Sequence, residues 1–212
     1  MILFLSLLAR AGHGKSTVAK YLTDKYGAKT ISLATPLKKC AQACMGFSDA
    51  QLWGTQAEKE AVDPRYGFSC RQFLQKLGTE GMRKEFGEDV HLDALVRRAN
   101  EIAEAEHLVP RGLFIVDDAR FRNEVKYLNS LGVSRGPHYM RGATLKIVCT
   151  DAPPPPPEIA DHPSEREIDE VPESDLAATI VSSRAQGVSH LCAEVEEVLS
   201  KVPALVAFKV LL

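Results

Sequence analysis

From residue 2 to residue 8 the chain is apolar at every position except Ser6. Such a run predicts a strand covered on both faces, the situation of a central strand in a parallel sheet. A glycine-bearing turn follows. Between Lys15 and Lys25 the apolar positions Val18, Ala19 and Leu22 recur at helical spacing, and Gly27 supplies a stop. Thr30–Ala34 reads as a short strand, and Pro36 stands where a helix can open, because proline fits the first helical turn. The stretch from Pro36 to about His107 is mostly helical in pattern, punctuated by Asp63-Pro64 and Gly67. Leu113–Val116 is a second strongly apolar strand running into Asp117-Asp118. Asn123–Leu131 predicts a helix closed by Gly132, and Thr144–Cys149 and Thr179–Val181 predict further strands. Val188–Val202 predicts a last helix with Leu191, Val195 and Val198 on one side. Strands alternating with helices predict an α/β domain with a mainly parallel sheet.

The pattern breaks once. Residues 153–157 are five consecutive prolines, followed by a polar, charged stretch to Asp175. Proline cannot sit in a helix interior or a central strand, so 151–171 is expected to be a stiff, lid-like surface excursion. The chain has 212 residues; at about 150 residues per domain this suits one domain, 1–212, with insertions. Lys and Arg number 26 against 28 Asp and Glu, a formal net charge of −2. A coat for nucleic-acid polymers would carry a basic excess, whereas a small phosphate needs only a few placed cations. The five cysteines (Cys40, Cys44, Cys70, Cys149, Cys192) contain no C-x-x-C pair. They predict reduced thiols used as small buried hydrophobes, in a cytoplasmic setting. No apolar run approaches the ~20 residues of a membrane span, and the apolar opening lacks the positive segment of a signal peptide.

Four stretches carry chemistry. The first, ARAGHGKST at residues 9–17, is a G-x-x-x-x-G-K-[ST] phosphate loop with Ala9 in place of the first glycine. Its glycines let backbone N–H groups curl around a phosphate at the positive end of the next helix. Ala11, Gly12, His13, Gly14, Lys15, Ser16 and Thr17 form the candidate nucleotide cradle. Lys15 would reach the β- and γ-phosphates and the Ser16 hydroxyl would ligate Mg²⁺, while His13 is expected to be an exposed spacer. The second, FIVDDARFRNE at 114–124, ends a buried strand on two aspartates. Either Asp117 or Asp118 could serve the Mg²⁺ shell, since neighbours on a strand point opposite ways. The third, CRQFLQKLGTEGMR at 70–83, places Arg71 and Arg83 as a fork-shaped clamp for an acceptor phosphate. The fourth, DHPSERE at 161–167, puts Arg166 where a closing lid would bring it onto transferring phosphates.

Together with SLATPLK at 32–38, these stretches resemble in order and spacing the deoxynucleoside monophosphate kinases of bacteriophages and some bacteria. DARFRNE (118–124) and HPSE (162–165) match that family's DVRFxNE and HPSE signatures. The resemblance implies a nucleoside-monophosphate-kinase-like P-loop three-layer sandwich, with a helical acceptor-binding insert at 36–108 and a lid. It implies transfer of the ATP γ-phosphoryl group, with Mg²⁺, to a (deoxy)nucleoside monophosphate. Lys15, Arg71, Asp118, Arg120 and Arg166 are the catalytic candidates on this footing, and Arg71, Gln75, Thr79, Glu80 and Arg83 the acceptor contacts. Ser16 and Asp118 are the metal candidates. A preference for deoxynucleotides would need an apolar wall near C2′, for which Tyr66 and Phe68 are candidates, ordinary packing being their other reading. Arg122 stands where the family often has proline, His91 where it often has tryptophan, and Ser182-Ser183 where it has Asn-Asp. No membrane or nucleic-acid polymer partner is expected; a homodimer is left open. Another small-molecule P-loop kinase, resembling phosphomevalonate kinase or dephospho-CoA kinase, is the alternative, and HPSE weighs against it. A non-catalytic nucleotide sensor is the other, and the missing Asn-Lys-x-Asp guanine motif weighs against that.

Overall fold

A computed structural model describes residues 1–108, 112–135, 139–154, 163–202 and 206. The apolar opening is strand β1 (Ile2–Leu8), with every residue buried. It pairs in parallel with β5 (Gly112–Val116) on one side and β6 (Met140–Cys149) on the other. β2 (Lys29–Ile31) joins the outer edge of β5 and β7 (Ala178–Ser182) the outer edge of β6, both parallel. The sheet order is therefore β2-β5-β1-β6-β7. The chain crosses β1 between β5 and β6, so the order reverses beside the C-terminal ends of β1 and β5, where a parallel sheet leaves a crevice for ligands.

Alternation along β1 divides the core. Leu3, Leu5 and Leu7 pack with Val18 and Leu22 of helix α1 (Lys15–Tyr26) and with Leu191, Val195 and Leu199 of the last helix, Gly187–Lys201. On the opposite face Leu8 packs with Val125 of a helix spanning Arg122–Asn129 and with Ile168 and Val171. Helices on both sides of a five-stranded parallel sheet make the α/β domain that the pattern predicts, with the three layers that the resemblance implies.

Contacts divide the chain into two units, Met1–Ser32 with Leu95–Leu212, and Leu33–Ala94. The second unit ends inside helix Val90–Ala105, earlier than the 108 expected for the insert. The helix's later half is fastened to the first unit: Arg98 donates to the Ser32 carbonyl at 2.8 Å and the Tyr139 hydroxyl to Asn100 at 2.8 Å. The second unit begins with α2 (Thr35–Met45), followed by α3 (Asp49–Trp53) and α4 (Gln56–Glu60). It is not wholly helical. Val62–Asp63 (β3) and Phe68–Ser69 (β4) form an antiparallel pair. Its turn is organised by the Asp63 carboxylate, which accepts from the Arg65 backbone and guanidinium and from Gln51. Arg65 holds this carboxyl well below its usual range. Next come α5 (Cys70–Gln75) and a π-helical segment, Lys76–Arg83.

Several expectations change. β6 starts at Met140 rather than Thr144, and the last helix buries Leu199 as well, with Val198 half-buried against the same cluster. Cys40 and Cys44 are exposed, with their Sγ atoms 3.9 Å apart, so they are not buried hydrophobes; Cys70 and Cys149 are buried. Tyr66 and Phe68 stack on each other and contact Phe47 and Phe73, and the Tyr66 hydroxyl donates to the Met45 carbonyl. Phe68 is half-buried against the apolar cluster of the second unit, and Tyr66 lies at its exposed edge. In the excursion over 151–171, residues 155–162, including most of the proline run and His162, lie outside the described residues. Pro163–Glu170 forms a helix whose Ile168 is packed into the core. Among the described residues no helix is long and apolar enough to cross a membrane.

Candidate active site

The loop at 9–17 leaves the buried end of β1 and enters α1. Gly12 and Gly14 have φ of +79° and +91°, left-handed geometry that costs an ordinary residue about 1–2 kcal/mol. A Cβ at Gly14 would also lie 3.1 Å from the Leu191 side chain. Backbone shape therefore favours glycine at both positions, and at Gly14 a side chain would also push Leu191 aside by a few tenths of an ångström. No side chain caps the N-terminus of α1 and no acidic residue lies in its first turn. First-turn N–H groups without a cap, Lys15 beside them and the exposed Ser16 hydroxyl form a donor set that suits an anionic phosphate.

Lys15 is enclosed by charge. Burial, and next the nearby Arg120, push its ammonium below the ordinary lysine value, while Asp118, Asp117 and Glu165 oppose that shift. These five side chains define the centre of the site in the first unit. Asp118 Oδ2 accepts from the Ser32 hydroxyl at 2.6 Å, and Ser32 is held by Arg98 through its carbonyl. Hard oxygen donors from Ser16, Asp117 and Asp118 suit Mg²⁺. Arg120 is fixed at its backbone by Glu124, whose Oε2 accepts from the Arg120 and Phe121 N–H groups at 2.7 and 3.0 Å. Its guanidinium pairs with Glu165.

His13 is half-buried rather than an exposed spacer. Its Nδ1 accepts from the Cys149 N–H at 3.2 Å, tying the loop to the end of β6, and burial pushes its pKa down. Beside it, a cleft of about 230 Å³ is lined by Gly12, Thr17, Ser183, Arg184 and Val188, among others. The Asp151 carboxylate accepts from the Arg184 and Ala185 N–H groups at 2.6 and 3.1 Å. The Arg184 guanidinium donates to the Gly12 carbonyl at 3.2 Å.

The acceptor candidates lie in the second unit. Arg71 is on α5, half-buried and 3.5 Å from Glu60. Gln75 closes α5 and, with Thr79 and Glu80, is exposed, whereas Arg83 is half-buried at the end of the π-helical segment. His91 bonds through Nε2 to the Gly78 carbonyl at 3.1 Å. Arg166 is exposed, and no described contact joins it to the Lys15 cluster; its neighbour Glu165 is the residue turned inward. Ser32, Arg98 and Glu165 were missed as site residues. Ser32 opens SLATPLK and Glu165 closes HPSE, so both lay inside quoted motifs, but Arg98 carries no sequence signal.

No protein-family profile matches the chain. Among solved structures it is similar to a dephospho-CoA kinase from Campylobacter jejuni, with TM-score 0.48, 15% identity and coverage of 95% of this chain and 98% of that one. A sugar kinase from Janibacter sp. HTCC2649 gives TM-score 0.42 and 15% identity over 97% of this chain and 98% of that one. A protein of Acanthamoeba polyphaga mimivirus, provisionally named a deoxynucleotide monophosphate kinase, is 31% identical over 142 residues, which span 62% of this chain and 70% of that protein. With that identity, the chain belongs to the deoxynucleotide monophosphate kinase family.

Proposed function

We propose that the protein transfers the γ-phosphoryl group of ATP to a deoxynucleoside monophosphate, giving the diphosphate. The observation that carries this reading is Lys15 at the uncapped start of α1 with Asp118 and Arg120 beside it. In-line phosphoryl transfer asks for alignment and charge neutralisation, and those groups supply both. The loop N–H groups and Lys15 hold the β- and γ-phosphates. The base of ATP takes the cleft beside Ser183 and Arg184. Ser16 and Asp118 would hold Mg²⁺, which when bound neutralises charge on the phosphate oxygens. The Ser32 hydroxyl, donating to Asp118 Oδ2, orients that carboxylate for the task. Arg120 takes charge on the transferring group, and Arg71 and Arg83 hold the acceptor phosphate by bidentate contacts. The acceptor is itself an ionised phosphate, so no strong general base is needed.

The test is coupled-assay turnover with ATP and each common ribo- and deoxynucleoside monophosphate. Turnover of deoxynucleotides with higher kcat/KM for dGMP than GMP, and for dTMP than UMP, is expected. Ribonucleotides matching their deoxy partners would overturn the sugar preference. Phosphorylation of dephospho-CoA or phosphomevalonate, with no nucleotide turned over, would overturn the reading itself.

A further inference from the structure

We propose that Glu165 is the positioning residue of the transfer site, fixing the Arg120 guanidinium against the phosphate loop. It lies on helix α9 (Pro163–Glu170), an acidic segment whose Asp169 is half-exposed, yet the Glu165 side chain is only 2% exposed. A carboxylate this buried is stable only with strong partners. It has two, one from each wall of the site. Oε2 accepts from the Ala11 N–H of the phosphate loop at 3.0 Å, and Oε1 takes the Arg120 guanidinium.

These contacts complete a set. Glu124 fixes the backbone of Arg120, and Glu165 fixes the far end of the same long side chain. A guanidinium has five N–H donors in a rigid fork, so anchoring one side sets the direction of the others. The anchor is itself held. Ile168 and Val171 pack against Leu8 and Val125, and Asp169 pairs with Arg10 and lies 3.7 Å from Lys146. Core packing thereby sets where Glu165 stands, Glu165 sets where Arg120 points, and the loop is tied to both. An internal salt bridge that merely stabilised the fold would not need a loop N–H as its second partner.

This inference rests on the reading of Arg120 as a phosphate contact, and a double-mutant cycle separates the two. Glu165→Gln keeps an acceptor for the Ala11 N–H but removes the charge that holds Arg120. With saturating ATP and dGMP, or the best acceptor of the panel, kcat should fall roughly ten- to a hundredfold, the cost of misplacing a reacting group by about 1 Å. KM values for both nucleotides should change little. Arg120→Ala should be slower still, and the double variant no slower than Arg120→Ala, because Glu165 acts through Arg120. Full activity in Glu165→Gln beside a slow Arg120→Ala overturns the inference. So does a double variant whose losses multiply, which marks an independent structural role. Full activity in Arg120→Ala overturns the underlying reading of Arg120, and the inference with it. Should Glu165→Gln not fold, Glu165→Asp, which withdraws the carboxylate by one methylene, is held to the same criteria.

Discussion

Lys15 carries its charge where burial and Arg120 disfavour it, a cost that a bound polyphosphate relieves. Two outcomes follow. Lys15→Ala should leave the fold intact, because it removes a half-buried cation rather than a core side chain, and should cut turnover by at least about a hundredfold. Retention of more than about a tenth of wild-type turnover would rule out the phosphate-loop role. The pH dependence has a definite sign. The folded chain loses the Lys15 proton at a lower pH than the unfolded chain, whose value is 10.5. The charging cost is therefore fully present below the folded pKa and fades as pH rises toward the unfolded one, while the cation needed for phosphate is lost. The kcat/KM for ATP in the free enzyme should fall on its alkaline side with a midpoint below 10.5, a limb absent from Lys15→Ala.

Among the elements, the loop and α1 are joined by local chemistry, and the start of α5 is set by capping. Ser69, buried at the N-cap of α5, accepts from the Gln72 N–H while the Gln72 side chain accepts from the Ser69 N–H, which sets the start of the helix that carries Arg71. Ser69→Ala should cost about 1 kcal/mol of stability, read from chemical denaturation. Arg71→Ala should instead leave stability nearly unchanged, since its Glu60 partner is a half-exposed pair, and raise the monophosphate KM with ATP affinity much less altered. Separate titrations of ATP and monophosphate check this, and an effect confined to ATP would remove Arg71 from the acceptor site. Capping boxes also open α3 (Ser48 with Gln51) and α4 (Thr55 with Glu58), a local signal that the helical pattern alone did not bring out. The π-helical segment was not legible. Its widened turn, seen in the Lys84 N–H donating to Thr79, leaves the Gly78 carbonyl to His91, a residue well beyond the local window.

At the scale of the molecule, the described part of the excursion is fastened to the core, and its removal should be felt there. Ile168→Ala deletes a side chain 1% exposed between Leu8 and Val125, at a cost of roughly 2–5 kcal/mol. At roughly 2–4 °C per kcal/mol for a chain of this size, the melting temperature should drop on the order of 10 °C. Val133→Ala, at a position 83% exposed, should leave it unchanged. An unaltered melting temperature in Ile168→Ala would mean that α9 is not packed in solution. The sequence by itself determined the central strand, the loop shape and the alternation of strands and helices. Each of these is set by neighbours: continuous apolar side chains, glycines able to take positive φ, and proline at a helix start. Only the tertiary structure decided which charged groups meet. Ala11 and Glu165 are 154 positions apart, Ser32 and Asp118 86, and His13 and Cys149 136. A motif carries the identity of such residues but not their partners. A carboxylate is equally soluble on either side of a polar helix until the core beneath it fixes which side is buried.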